Sequence, residues 1–333
     1  MLRLAFMGSD AIALPALNWL AGEGRSIAQV VVVFTQPDRA AGRGQKVQPN
    51  AIKLWAREHG LPVLQPAKMG AAECGQLAGL KPDLALVMAY GHILRQEVID
   101  TPRLGTLNLH TSLLPAYRGA SPIQTAIACG ETETSVTLMR LVLRLDAGPV
   151  ADAERVRIDP LDTARELEGK LALACVPLLA RCLPRIAAGT QTFTEQDESQ
   201  ATYCRRLEKA DGVLDFNAPA SALAARINSL MPWPGCAVAI NGQPVKLGQA
   251  DVCHILYDKP PVAGVVMGAN SDGLLVSTGQ GTLRLRRLQR PGGRMLSARE
   301  FLHGFPVAPG TILPSVPIPP LVARQPFPRS KTL

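Results

Sequence analysis

Gln29-Val30-Val31-Val32-Val33-Phe34 sets four valines in a row ahead of Thr35-Gln36. β-Branched side chains favour extended backbone, and a short apolar run without alternation predicts a strand buried on both faces. Two more runs of this kind flank it: Leu2–Met7, which stops at Gly8, and Leu84–Ala89, which stops at Tyr90-Gly91. Helical patterns fall between them, at Ala11–Leu20 (interrupted by Pro15), at Ala51–His59 before Gly60, and at Met69–Leu80 before Pro82. Further on, Leu61–Leu64, Thr106–His110, Ser135–Leu141 and Val150–Ile158 read as strands. Pro122–Cys129 reads as a helix closed by Gly130, and Leu161–Ala188 as a long helix carrying Pro177 and Pro184. Strands that alternate with helices predict an α/β domain built on a parallel sheet. In such sheets the functional loops sit at the carboxyl ends of the strands.

The pattern changes beyond this region. Residues 1–189 are expected to form the first domain, with 190–204, polar in composition, as a linker. From Gly235 short apolar runs (Ala237–Ile240, Val245–Gln249, Gly264–Met267, Leu274–Ser277, Thr282–Leu288) are separated by Asn241-Gly242, Asp272-Gly273 and Gly279–Gly281. These turn pairs predict hairpins in a small β-sheet or barrel over 205–310. Residues 311–333 form a Pro-rich tail, expected to be extended.

The chain of 333 residues is 47% hydrophobic and 19% charged, enough apolar material for a sizeable core. Its net charge of +8 is unevenly placed. Residues 1–204 hold 20 Lys and Arg against 20 Asp and Glu, whereas residues 205–333 hold 15 against 7. A basic domain beside a neutral one points to a polyanionic partner, with solubility as the plainer explanation. Aromatics make up only 4%, which disfavours base stacking and favours contact with backbone phosphates. The seven cysteines include no CxxC pair, so neither a disulfide framework nor a metal site is expected, and a reducing cytoplasm is the simplest compartment. No apolar run reaches the roughly 20 residues that a membrane helix needs, and none resembles a secretory signal.

Asn108, His110 and Asp146 are the candidates for chemistry. Asn108 and His110 lie two apart at the end of a predicted strand and so share a face. Asp146 follows the next strand, in Leu145-Asp146-Ala147-Gly148. An amide N–H and a protonated imidazole can hold the oxyanion of a tetrahedral intermediate. A carboxylate can orient the imidazole and take a proton from an attacking amine. There is no GxSxG elbow, which favours direct acyl transfer to an amine over a covalent intermediate. By spacing alone, an Asn-x-His pair on a strand is more often structural, and an Asp before Ala-Gly is more often a turn former. Arg118 suits either contact with an anionic ligand or bracing of its loop.

The words around these residues sharpen the choice. Asn108-Leu109-His110, Ser112-Leu113-Leu114-Pro115, Tyr117-Arg118-Gly119 and Pro122-Ile123-Gln124 resemble the signature of the 10-formyltetrahydrofolate-dependent formyltransferase family. Phe6-Met7-Gly8, Thr35-Gln36-Pro37-Asp38-Arg39, Ala41-Gly42-Arg43-Gly44-Gln45-Lys46, Ala89-Tyr90-Gly91, Pro232-Trp233-Pro234 and Gly242-Gln243-Pro244-Val245-Lys246 resemble further words of one branch of it. The resemblance runs from Leu2 to about Arg299. It implies a Rossmann-like parallel-sheet domain followed by a smaller β-barrel domain resembling an OB-fold that lies along tRNA. It implies catalytic roles for Asn108, His110 and Asp146. It also implies folate contacts from Met88, Ala89, Tyr90, Gly91, Ser112, Leu113, Leu114, Pro115 and Leu143. The loop Thr35–Asn50 matches one that reaches an initiator tRNA, with Arg39, Arg43 and Lys46 as its contacts and Arg43 as the key arginine. The implied reaction moves the formyl group of 10-formyltetrahydrofolate, a co-substrate, to methionine carried on initiator tRNA, with no metal. A monomer without membrane attachment is expected. Arg144 stands where the family commonly has a glycine. Rivals are a formyltransferase for a small amine, an RNA-binding protein with an inactive α/β domain and, more weakly, a dinucleotide-dependent oxidoreductase, for which Gly8-Ser9-Asp10 lacks the GxGxxG spacing.

Overall fold

The computed structural model describes residues 1–41, 46–255 and 262–328. Among them, no helix is long and apolar enough to cross a membrane. The chain divides into two compact units. The first comprises residues 1–118, 135–156 and 168–201; the second takes 119–134, 157–167 and the chain from 202 onward. This partition is interleaved, where the sequence reading divides the chain once, near Gly189.

The first unit is built on seven strands: β1 (Leu2–Gly8), β2 (Ala28–Phe34), β3 (Val63–Leu64), β4 (Leu84–Met88), β5 (Thr106–His110), β6 (Glu133–Arg140) and β7 (Val150–Arg157). Their order across the sheet is β7-β6-β5-β4-β1-β2-β3. β1 runs parallel to β2 and β4, β2 to β3, and β4 to β5. β6 departs from the expected pattern and is antiparallel to β5. The intervening helix α5 (Pro122–Ala128) belongs to the second unit. Because β6 is antiparallel to β5, the chain re-enters the sheet at the end it left.

Both faces of the central strands are covered, as the valine run requires. On one face Ala5, Met7, Val32, Phe34, Ala85 and Val87 pack with Leu77 of α3 (Ala71–Gly79) and with Val98 and Ile99 of α4 (Gln96–Asp100). The chain builds outward from β1 through β2 to β3, then restarts on the other side of β1 with β4. Strand order therefore reverses between β1 and β4, where open α/β sheets place a crevice. Gly8 ends β1 opposite Met88, and a Cβ there would lie 2.6 Å from the Met88 carbonyl oxygen. Glycine is the residue that lets the two strand ends meet.

Thr35–Asn50 is not a plain loop. Arg39–Ala41 pairs antiparallel with Lys46–Gln48, so the excursion is a two-stranded ribbon. The predicted helices are present, shortened at their ends: α1 (Leu14–Ala21) after a 3-10 turn, α2 (Ala51–Glu58), and α6 (Ala164–Ala187) with Pro177 and Pro184 inside it.

In the second unit, β8 (Cys236–Ile240), β9 (Gln243–Cys253), β10 (Val266–Ala269), β11 (Leu274–Ser277) and β12 (Thr282–Gln289) form an antiparallel sheet in the order β8-β9-β12-β11-β10, with β13 (Leu296–Ser297) paired to β12. The β8–β9 turn holds Asn241 at φ +49° and Gly242 at φ +73°, the left-handed pair that a tight hairpin needs. A helix absent from the sequence reading, α7 (Ala220–Leu230), buries Leu223, Ile227 and Leu230 in this unit's core and packs against α5.

Candidate active site

Asn108 and His110 end β5, one strand away from the crevice. The cross-strand partner of His110 is Thr137 of β6. Just after β5, the hydroxyls of Ser135 and Thr137 both donate to the Ser112 carbonyl, at 2.8 and 2.6 Å. Ser112 Oγ in turn donates to the Ala116 carbonyl at 2.6 Å. These bonds fold Ser112–Ala116 into a fixed turn over the strand end.

The structure brings His110 and Asp146 together: Nδ1 of the ring lies 3.7 Å from Asp146 Oδ2, too long for a direct hydrogen bond but close enough for charge to matter. His110 is buried, at 5% exposure. Its Nε2 lies 3.0 Å from the Tyr117 carbonyl oxygen. A carbonyl only accepts, so Nε2 donates to it, and Nδ1 is the nitrogen turned towards the acid. This differs from the expected share of His110 in holding an oxyanion, because its Nε2 hydrogen is already committed. The Asn108 amide is partly exposed and has no hydrogen-bond partner among the described residues, which makes it the free donor at the strand end.

Three non-glycine residues at this edge have left-handed backbone: Ala89 (φ +47°), Tyr117 (φ +60°) and Asp146 (φ +46°). Such conformations cost roughly 1–3 kcal/mol each and persist where surroundings enforce them, often at functional sites. The surroundings of Tyr117 and Asp146 are explicit. Arg118 is buried (1% exposed) and donates to Gln196 Oε1 and to both carboxylate oxygens of Glu198, so it braces its loop. Arg144 points to Glu198 as well, at 3.1 Å, which accounts for the position taken by that unexpected charge.

The remaining expected contacts separate by exposure. Ala89, Gly91 and Leu143 are exposed, Leu143 by 68%; Leu113, Leu114 and Pro115 are half-buried. Leu145, 53% exposed, adds a second apolar side chain beside Asp146. Met88 and Tyr90 are turned inward, however. Met88 lies in the core, its sulfur 3.9 Å from that of Cys175, so only its backbone can face a ligand. The Tyr90 side chain is buried with its hydroxyl unpartnered, and burial pushes that phenol well above its usual range. Ser112 is wholly buried and acts through the turn it holds.

At the crevice, Ser9 N–H donates to the Ala89 carbonyl, while Ser9 Oγ and Gln36 Nε2 both donate to the Tyr90 carbonyl. Asn50 Nδ2 and Gln65 Nε2 donate to the Gln36 carbonyl, and Lys53 pairs with Asp38 at 2.5 Å. Both roots of the ribbon are therefore anchored. Arg39 and Lys46 are exposed on it; Arg43 lies outside the described residues. Sequence reasoning missed Ser9, Gln36, Tyr117 and Gln196. Tyr117 carried a signal in its place inside the signature, and Gln36 in its place inside the Thr35–Arg39 word. Among the described residues no three His, Cys, Asp or Glu side chains gather in a group able to hold a metal ion.

An imidazole beside a carboxylate, with an amide two residues back on the same strand of an α/β sheet, suits group transfer. The formyl transferase profile matches residues 2–183, and the profile of that family's C-terminal domain matches 206–306. The chain belongs to the formyl transferase family. It is 41% identical to the methionyl-tRNA formyltransferase of Methylococcus capsulatus over 308 residues, 92% of this chain and 98% of that one. It is likewise 41% identical to that of Pseudomonas fluorescens over 303 residues, 91% of this chain and 93% of the relative. Among solved structures, the N-formyltransferase of Helicobacter canadensis aligns with a TM-score of 0.64 at 18% identity, covering 86% of this chain and 99% of that one. The sugar 3N-formyl transferase WlaRD aligns at 0.63 and 17%, covering 86% and 97%. At those identities the two structures establish the fold.

Proposed function

We propose that this protein transfers the formyl group of 10-formyltetrahydrofolate to the α-amino group of methionine on initiator tRNA. The identity of 41% along nearly the whole length of methionyl-tRNA formyltransferases carries this reading. The site supplies the chemistry. The neutral amine attacks the formyl carbon, and the Asn108 amide donates to the oxygen as it gains charge. Asp146, steadied against His110, takes the proton that the amine sheds. The bond from the formyl carbon to the folate nitrogen then breaks, and that nitrogen takes up a proton as tetrahydrofolate leaves. The exposed Leu143 and Leu145 offer apolar contact for the pterin, and the backbone of residues 88–91 is assigned to the same ligand.

The basic second unit offers cations for tRNA phosphates, and the ribbon offers Arg39 and Lys46. Arg284 and Arg286 are tied to Asp251, and Arg205 to Asp211. Arg287, Arg294 and Arg299 are exposed around β13 and remain available for phosphate. A cytoplasmic site of action follows from this acceptor. The test is formyl transfer to charged initiator tRNA, with elongator methionine tRNA and an amino sugar as controls. Formylation of the initiator alone is expected; use of the amino sugar and no tRNA would assign the chain to a small-amine branch.

A further inference from the structure

We infer that Gln196 is a positioning residue for the reaction, setting the separation of Asp146 from His110 while touching neither side chain. The inference rests on the assignment of those two residues to the active site. Gln196 lies beyond α6, far along the chain from the residues it links. Its Nε2 donates to the Asp146 carbonyl at 2.9 Å and to the Gly148 carbonyl at 2.7 Å. Its Oε1 accepts from Arg118 Nε at 3.1 Å and Nη2 at 2.8 Å. Both amide hydrogens and the carbonyl oxygen are thus used.

Two arms meet on this amide. One is the turn that carries Asp146 in a left-handed conformation, which the two carbonyl contacts hold in place. That turn also packs tightly: a Cβ on Gly148 would fall 1.9 Å from the Arg140 carbonyl oxygen. The other arm is Arg118, whose neighbour Tyr117, also left-handed, supplies the carbonyl that receives the His110 ring hydrogen. The clamp runs from ring to Tyr117 backbone, through the buried guanidinium to Gln196, and back to the acid. A carboxamide fits because it donates to carbonyls with one end and accepts from a guanidinium with the other. A carboxylate in its place would keep the Arg118 bonds and repel the two carbonyls.

Gln196→Glu is the decisive variant, being nearly isosteric, with Gln196→Leu as a companion that removes both arms. Each should lower kcat by about 10–100-fold, the scale expected when a reacting group is displaced by about an ångström. KM for the folate and for the tRNA should stay within about twofold, and the pH profile of kcat should change shape, since the acid and ring no longer hold one spacing. A merely structural role would lower thermal stability and leave that profile unchanged. If Gln196→Leu fails to fold, Gln196→Glu carries the test alone. Wild-type kcat and pH profile in Gln196→Glu would overturn the inference, as would a loss confined to folate KM. If the wild-type protein itself does not formylate charged initiator tRNA, the proposed function fails instead.

Discussion

Asn108 and His110 share a strand face but do different work. The ring is held at both nitrogens, by the Tyr117 carbonyl and by proximity to Asp146, whereas the amide is free. In the proposed reaction the Asn108 donor meets charge that exists only during the chemical step, which is where donors have most effect. Asn108→Ala should therefore lower kcat by roughly 10²–10³ with little change in folate affinity. Turnover measured under saturation decides this; retention of half the wild-type rate would remove Asn108 from its role. A second residue-scale prediction concerns stability. Asp211 is 1% exposed. Desolvation works to raise its carboxyl, but the Arg205 hydrogen bonds and the Glu208 backbone N–H outweigh it, and the group sits below the usual carboxylate range. A depressed carboxyl contributes stability that is fully present above the ordinary aspartate value and is lost as pH falls through the lowered one. Asp211→Ala should cost about 3–5 kcal/mol near neutrality, as for a buried pair stripped of one partner. Urea titrations at several pH values should show that difference shrinking below about pH 4.

At the scale of elements, the ribbon matters most. Its strands are short and exposed, yet its roots are fastened by Asn50, Lys53 and Gln65. An exposed two-stranded excursion on a fixed base can place cations without disturbing the crevice beside it. Arg39→Ala combined with Lys46→Ala should raise KM for charged tRNA severalfold and leave folate affinity unchanged, as steady-state kinetics with each substrate varied would show. Equal loss for both substrates would mean that the ribbon helps build the folate site. The sequence made some elements plain and others not. The valines of β2 admit little besides a buried strand, and Asn241-Gly242 announces its hairpin. The ribbon was hidden because glycines and charges interrupt any alternation in Arg39–Gln48. α7 was hidden because its small residues, Ala220, Ala224 and Ala225 among them, give a weak apolar stripe. Gln196 was hidden for a stricter reason: its partners are backbone carbonyls 50 and 48 positions away, which leave no mark on residue type. The motif singled out Asn108, His110 and Asp146, of which the structure brings His110 and Asp146 together, whereas the bracing role of Arg118 needed coordinates.

For the whole molecule, the charge excess of residues 205–333 is the leading feature. Neutralising phosphates releases counterions, so tRNA affinity should fall steeply with salt, by roughly 10³-fold or more between 50 and 200 mM if six or more phosphates are engaged. A filter-binding series in potassium chloride measures the slope; a flat profile would remove the second unit from RNA contact. Removing residues 205–333 to isolate the first unit would be a poor substitute. α5 is buried through Ile123, Ala126 and Ile127 and packs on α7, so the cut would strip its cover.

The same interleaving bears on synthesis. As the chain leaves the ribosome, α5 emerges about 100 residues ahead of α7. At about 5–20 residues per second, that leaves its greasy side uncovered for on the order of 5–20 s. The nascent protein cannot mature one unit at a time. The two segments lent to the second unit must wait, tethered inside a half-made sheet, for chain not yet translated, and that interval is when a chaperone would be most needed.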